Sequence, residues 1–240
     1  MLTKLNSIIA GLIILFVFSC TKTTAPSGSA ALNIVNATIG STALVTNFNA
    51  YNGKTIDTLQ YYNTALQVYY GSSAEIGSYT GSTPLSLSDI TDTTRNVYSN
   101  TLNLPVGSIH TLFMTGTLTS PDNLFTTDVI PYYPASGDSV TGVRFVNLSP
   151  GSNPISVTLQ SDTTHTAIGS PIAYKSISNF QSFSANTNAE NNGYTFEFRD
   201  AASDSVLATY SLNIYLFKSQ TLAFYGNTTS GFSVMSINNY

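Results

Sequence analysis

The sequence predicts an all-β protein: two tandem β-sandwich domains that follow a short apolar N-terminal segment. Three observations predict it. The 240 residues include 15 Tyr and 13 Phe but only 8% charged residues, so strand formers abound while helix-forming Glu and Lys are scarce. Short segments alternate apolar and polar residues with a period of two. Two stretches resemble each other at both of their ends, at nearly the same spacing.

The N-terminal segment comes first. Lys4 precedes eleven apolar residues, 8–18. As a helix they would span ~16 Å, about half a bilayer core, the length of a signal-peptide h-region and too short to cross. Ser19 and Cys20, the only cysteine, follow at once. The junction resembles a bacterial lipobox, with Val17 and Ser19 at the fitting places and Phe18 bulkier than usual. That resemblance implies a lipoprotein signal peptide over 1–19 and a diacylglycerol on the Cys20 thiol. The alternative is an ordinary secretory signal in which Cys20 is incidental. No acidic residue follows Cys20, so the usual inner-membrane retention signal is missing. The expected location is the outer membrane, with the periplasmic face and the cell surface both open. Residues 20–30 then form a lipidated cysteine and flexible tether, reaching ~33 Å when extended.

The repeat sets the domain boundaries. Ala31-Leu32-Asn33-Ile34-Val35-Asn36 matches Gly142-Val143-Arg144-Phe145-Val146-Asn147, 111 positions on. Leu112-Phe113-Met114-Thr115-Gly116 matches Leu222-Ala223-Phe224-Tyr225-Gly226, 110 positions on. Near-equal offsets imply a tandem duplication with domains at 31–137 and 138–240. In the second copy Ile155, Val157 and Leu159 alternate with polar residues. So do Tyr194, Phe196 and Phe198, and the same period continues through Leu212, Ile214 and Leu216. In the first copy Leu85 and Leu87, then Leu102 and Leu104, do likewise. Ser149-Pro150-Gly151, Asn191-Asn192-Gly193 and Asn227 to Gly231 read as turns. About seven short strands per hundred residues suggests an immunoglobulin-like sandwich of the disulfide-free kind.

The second copy also carries a longer pattern: Val143 to Gly151, then Ile155-Ser156-Val157, then Pro171-Ile172-Ala173-Tyr174-Lys175-Ser176-Ile177-Ser178-Asn179-Phe180. It resembles the bacterial "domain of unknown function 4397" family, in which a Ser-Pro turn precedes a Tyr-x-x-x-Ser segment leading to an aromatic. Tyr174, Ser178 and Phe180 occupy those places. The resemblance covers 142–240 well and 31–130 weakly, because the first copy lacks Ser-Pro at its turn. It implies an exported β-sandwich lipoprotein and no established activity, so no catalytic residues carry over.

The chemistry legible in the chain is sparse. Formal net charge is −4, and Lys54, Arg95, Arg144, Lys175, Arg199 and Lys218 are scattered, which argues against nucleic acid. No nucleophile elbow, Walker loop or dinucleotide fingerprint is present. His110, in a strand, and His165, in a turn, make a poor zinc pair. Asp89 and Asp92 are the best calcium candidates, in a loop thinner in carboxylates than calcium usually takes. The pairs Tyr61-Tyr62, Tyr69-Tyr70 and Tyr132-Tyr133 offer sugar-stacking surface, but neighbours on a strand face opposite ways, which favours packing. Five of nine aspartates precede Ser or Thr and then Leu, Thr or Val. This resembles an acceptor for periplasmic O-glycosylation at Thr58, Thr93, Ser139, Thr163 and Ser205, and Thr-rich turns are the competing explanation.

The expectation is a non-enzymatic envelope protein, without metal or cofactor. It is held to the membrane by its lipid and acts in structure, adhesion or binding of a protein or glycan partner. The alternative is a glycan-binding module for nutrient capture. A hydrolase requires a cleft that brings His110 or His165 to a nucleophile.

Overall fold

The computed structural model describes residues 28–48, 66–133, 139–185 and 193–239. Among them are fifteen strands and no helix. The first half holds β1 (Ser29–Asn36), β2 (Ala43–Asn47), β3 (Gln67–Tyr69), β4 (Ser72–Tyr79), β5 (Gly81–Asp89), β6 (Asp92–Leu104), β7 (Ile109–Gly116) and β8 (Pro121–Thr127). The second holds β9 (Val140–Asn147), β10 (Ile155–Leu159), β11 (Gln181–Ser184), β12 (Gly193–Asp200), β13 (Val206–Asn213), β14 (Ser219–Asn227) and β15 (Gly231–Asn238).

Each half contains two sheets with one pairing scheme. The first has β4-β1-β7-β8 and β3-β2-β5-β6; the second has β11-β9-β14-β15 and β10-β12-β13. In both, the opening strand runs parallel to the penultimate one, β1 with β7 and β9 with β14. The register repeats as well: Asn36 lies opposite Met114, and Asn147 opposite Phe224.

Period-two alternation decides which side chains go where. Leu32, Ile34, Leu112 and Met114 meet Leu44, Leu85, Leu87 and Leu102 in the first core. Val143, Phe145, Leu222 and Phe224 meet Ile155, Val157, Phe196 and Phe198 in the second. The intervening positions of the same strands are buried too. Val35 and Phe113 of the first half pack with Val146, Ala223, Met235 and Ile237 of the second. The sheets β4-β1-β7-β8 and β11-β9-β14-β15 therefore lie back to back, giving four layers. They do so in the same sense. Where the parallel pairs begin, Asp128 reaches Arg144; where they finish, Thr115 Oγ1 donates to the Leu148 carbonyl, and Tyr70 meets Tyr225 edge-on at 5.3 Å.

Three local devices recur in both halves. Asn36 and Asn147 are fully buried at the ends of β1 and β9. Asn36 Nδ2 donates to the Val68 carbonyl (2.9 Å) and Ser41 Oγ (3.1 Å), while its Oδ1 accepts the Thr38 N–H. Asn147 donates to the Ile172 carbonyl (3.1 Å) and Ser152 Oγ (3.1 Å) and accepts the Ser149 N–H. Each side chain closes the turn and ties the neighbouring strand to it. Gly116 ends β7 and Gly226 is the last residue but one of β14, with φ of 76° and 95°. A Cβ there would run into the carbonyl oxygens of Ser120 and Gly231, so glycine is required.

The third device is Asp89 with Asp200. Asp89 accepts Ser41 Oγ (2.7 Å), Thr42 N (3.0 Å) and Thr91 N (3.0 Å). Asp200 accepts Asn153 Nδ2 (2.8 Å), Ala202 N (2.9 Å) and Ser203 N (2.9 Å). Burial pushes the Asp89 carboxyl up, but its bonds from Thr91, Ser41 and Thr42 outweigh that and leave it below the ordinary value. Asn153, with Ser203 and Ala202, lowers Asp200.

The structure differs from the sequence pattern at one strand. The alternation through Leu212, Ile214 and Leu216 predicts a continuous strand, but β13 stops at Asn213. The chain must there cross from the outer sheet to the inner one. It turns through Lys218 N to the Tyr215 carbonyl, with Phe217 at φ 59°.

Replacing Asn147→Ala leaves buried backbone groups without partners and should cost about 1–3 kcal/mol, read from urea denaturation; Asn36→Ala should cost a similar amount. The lowered Asp89 and Asp200 contribute stability in full above the unfolded carboxyl value of about 3.9, and lose it as pH falls through their lower folded values. Melting temperature should therefore fall below pH about 4, and Asp200→Asn should make that acid loss shallower.

Candidate functional site

The junction between the halves concentrates the polar chemistry that alternation aims away from the two cores. Arg144 lies between Val143 and Phe145 on β9 and so faces the first half. There its Nη2 meets Asp128 Oδ1 at 2.8 Å, and its Nε donates to Thr221 Oγ1 at 2.8 Å. Asp128 follows β8, with its N–H on the Ile109 carbonyl. Its carboxylate also accepts Thr126 Oγ1 (2.9 Å) and Thr111 Oγ1. Both charged side chains are buried. The guanidinium carbon lies 4.7 Å from the Phe180 ring centroid, a cation–π contact. A buried pair of this kind adds little over an apolar pair of the same shape. Losing one member, by contrast, strands a charge out of water.

A strap over residues 172–180 supplies the second contact. It runs along β9: Lys175 N donates to the Asn147 carbonyl, and Ser178 N to that of Phe145. Ser178 Oγ accepts the Phe145 N–H at 2.9 Å. Lys175, held at φ 59°, reaches across to Asp122 Oδ1 at 2.6 Å, beside Tyr174 OH at 3.4 Å from Oδ2. Burial raises the Asp122 carboxyl, but the bonds from Lys175 and the Asn123 N–H outweigh it and hold it low. Tyr174 and Lys175 thus latch one half to the other, while Ser178 ties the strap to β9 and Phe180 rests on Arg144.

Beside the strap an open groove of about 470 Å³ runs along the junction. Thr126, Thr127, Val129 and Pro131 line it from the first half, and Arg144, Ile177, Ser178, Asn179 and Phe180 from the second. It offers hydroxyl and amide hydrogen bonds, an aromatic edge and a charge already neutralised by Asp128. That mixed lining suits holding a chain with polar and apolar faces more than breaking a bond in one.

Neither histidine lines the groove, although His110 backs its wall through Thr127. His110 is buried, stacked on Phe125 at 5.1 Å, with Nε2 2.8 Å from Ser108 Oγ and Nδ1 3.3 Å from Thr127 Oγ1. Ser108 Oγ in turn donates to the Pro105 carbonyl. His165 lies 3.5 Å from Asp204 and 3.3 Å from Arg199, in the corner where Arg199 also pairs with Glu197. Asp89 is occupied as described, and Asp92 accepts both Thr94 groups, at 3.1 and 2.6 Å. Among the described residues no three His, Cys, Asp or Glu gather as a metal site would need. Of the acceptor-like hydroxyl residues, Thr93, Ser139, Thr163 and Ser205 are exposed. Cys20 and Thr58 lie outside the described residues, as do Tyr61 and Tyr62. In the other tyrosine pairs one ring is exposed and one packed: Tyr69 against Tyr70, Tyr132 against Tyr133. The two exposed rings sit at opposite ends of the molecule, so they form no shared platform.

Comparison with family models finds none that matches the chain, and comparison with curated proteins likewise finds no match.

Asp128→Ala should destabilise the protein by about 3–5 kcal/mol, because Arg144 is then buried without its counter-charge. The pair Asp128→Leu with Arg144→Met should recover most of that loss. Chemical denaturation of the single and double variants measures both.

Proposed function

We propose that the chain is a non-catalytic, lipid-anchored protein of the outer membrane, with two tandem immunoglobulin-like sandwich domains fused into one stiff body. It serves a structural, adhesive or partner-binding role. The observation that carries this reading is the junction. A buried apolar contact of Val35, Phe113, Val146 and Met235, with the Arg144–Asp128 pair at its side, holds the two modules against each other. The export and lipid elements of the proposal come from residues 8–20 and from the family-like strap of Tyr174, Ser178 and Phe180. The exposed hydroxyls at Thr93, Ser139, Thr163 and Ser205 suit O-glycosylation of a weakly charged surface.

The groove favours a second reading, capture of a glycan. Its hydroxyl and amide lining and the Phe180 ring match sugar recognition better than the separated tyrosines do.

Radiolabelled palmitate should enter the full chain and be absent from the Cys20→Ser variant; equal labelling of the two removes the anchor. Intact mass of native protein above polypeptide plus lipid marks glycosylation, and a mass equal to that sum removes it. A glycan array supports the second reading if Phe180→Ala abolishes its signals, and removes it if the array is blank.

A further inference from the structure

Nine large apolar side chains are exposed among the described residues, and they are unevenly placed. Six of them, Val106, Val129, Tyr132, Tyr215, Leu216 and Phe217, gather where the two parallel strand pairs begin. Val106 packs on Gly28, and Gly107 N donates to the Ser29 carbonyl at 3.0 Å. Val129 follows Asp128, which is bonded to Ile109 at the start of β7. Tyr132 precedes Tyr133, whose hydroxyl is 3.3 Å from Ser219 at the start of β14. Phe217 N donates to the Val140 carbonyl at the start of β9. Tyr132 and Val129 are 87% and 81% exposed, far beyond what isolated surface apolar residues require.

The loop 215–217 is also strained. Its counterpart 110 positions earlier places Gly107 at φ 72°, whereas here Phe217 takes φ 59°. A bulky side chain in that region is disfavoured. Charge follows the opposite distribution. The hairpin tips carrying Asp92, and Asp200 with Asp204, are at the far end, while Lys218 adjoins the apolar loop. Residue 28 sits at the apolar end, eight residues after Cys20, a span of at most about 29 Å.

We propose that this end is a membrane-contact surface: Tyr215, Leu216 and Phe217, flanked by Val129 and Tyr132, enter the interfacial zone of a lipid bilayer. Aromatic and aliphatic side chains on a turn, with a lysine beside them for headgroup phosphates, are the chemistry of that zone. The surface rests on the anchoring reading only for which end faces the lipid. The body stands with the strand axes pointing away from the membrane and the carboxylate-bearing hairpins outermost.

The chain has no tryptophan, so one introduced residue reports alone. Full-length Leu216→Trp and Ile90→Trp proteins are placed on phosphatidylethanolamine–phosphatidylglycerol vesicles with brominated acyl chains. Emission from Leu216→Trp should shift blue and be quenched, and that from Ile90→Trp should stay unchanged. In the Cys20→Ser background, Leu216→Ser with Phe217→Gly should weaken vesicle partitioning about tenfold. Phe217→Gly alone should leave the melting temperature unchanged or raise it, which separates binding from folding. An unquenched Leu216→Trp in a chain whose mass shows the acyl group overturns the proposal with the anchor intact, and assigns the end to a protein partner. Quenching in a chain without the acyl group overturns the anchor and keeps the surface.

Discussion

A β-sheet has two faces, and burying one commits only half of its side chains. In this protein the inner sheets, β4-β1-β7-β8 and β11-β9-β14-β15, bury both. One face of each fills its own core, and the other fills the contact between halves. Polar residues at that contact must therefore find partners inside the protein. Arg144, Asp128, Thr111 and Thr221 do so by bonding to one another and to Asn239. The outer sheets are freer, and their solvent faces carry the Ser, Thr and Asn that give the chain its composition.

Much of the fold was legible because it depends on local pattern. Alternation placed β5, β10 and β12 and named their core residues. The matched strand ends at Asn36 and Asn147 correctly paired structural equivalents, down to the hydrogen bonds of each amide. The back-to-back contact was not read, although a signal existed. Leu112-Phe113-Met114 and Leu222-Ala223-Phe224 are unbroken apolar runs, the pattern of strands buried on both sides. Arg144 passed as one of several scattered cations because a buried partner 16 positions away leaves no mark in sequence. The pattern through Leu216 failed for a different reason. Periodicity cannot tell a strand from a loop whose apolar residues face out.

The candidate site was less legible than the fold. The strap from Ile172 to Phe180 was singled out by family resemblance, but its physical task was not. Ser178 serves as an acceptor for β9, Lys175 crosses to Asp122, and Phe180 covers a guanidinium. Among the described residues the first half has no such strap, since β4 pairs along all of β1 instead. The two halves therefore cover the edge of their opening strand in different ways.

The shared middle layer has a consequence for how the chain comes apart. Opening either half would bare Phe113 or Val146 and unpair Arg144 from Asp128, so neither can melt while its neighbour stays intact at little cost. Local fraying is confined to hairpin tips and outer edges, and the route to the denatured state passes through a single concerted rupture. Proteases would find trimming sites at the rim but no intermediate with one half loose.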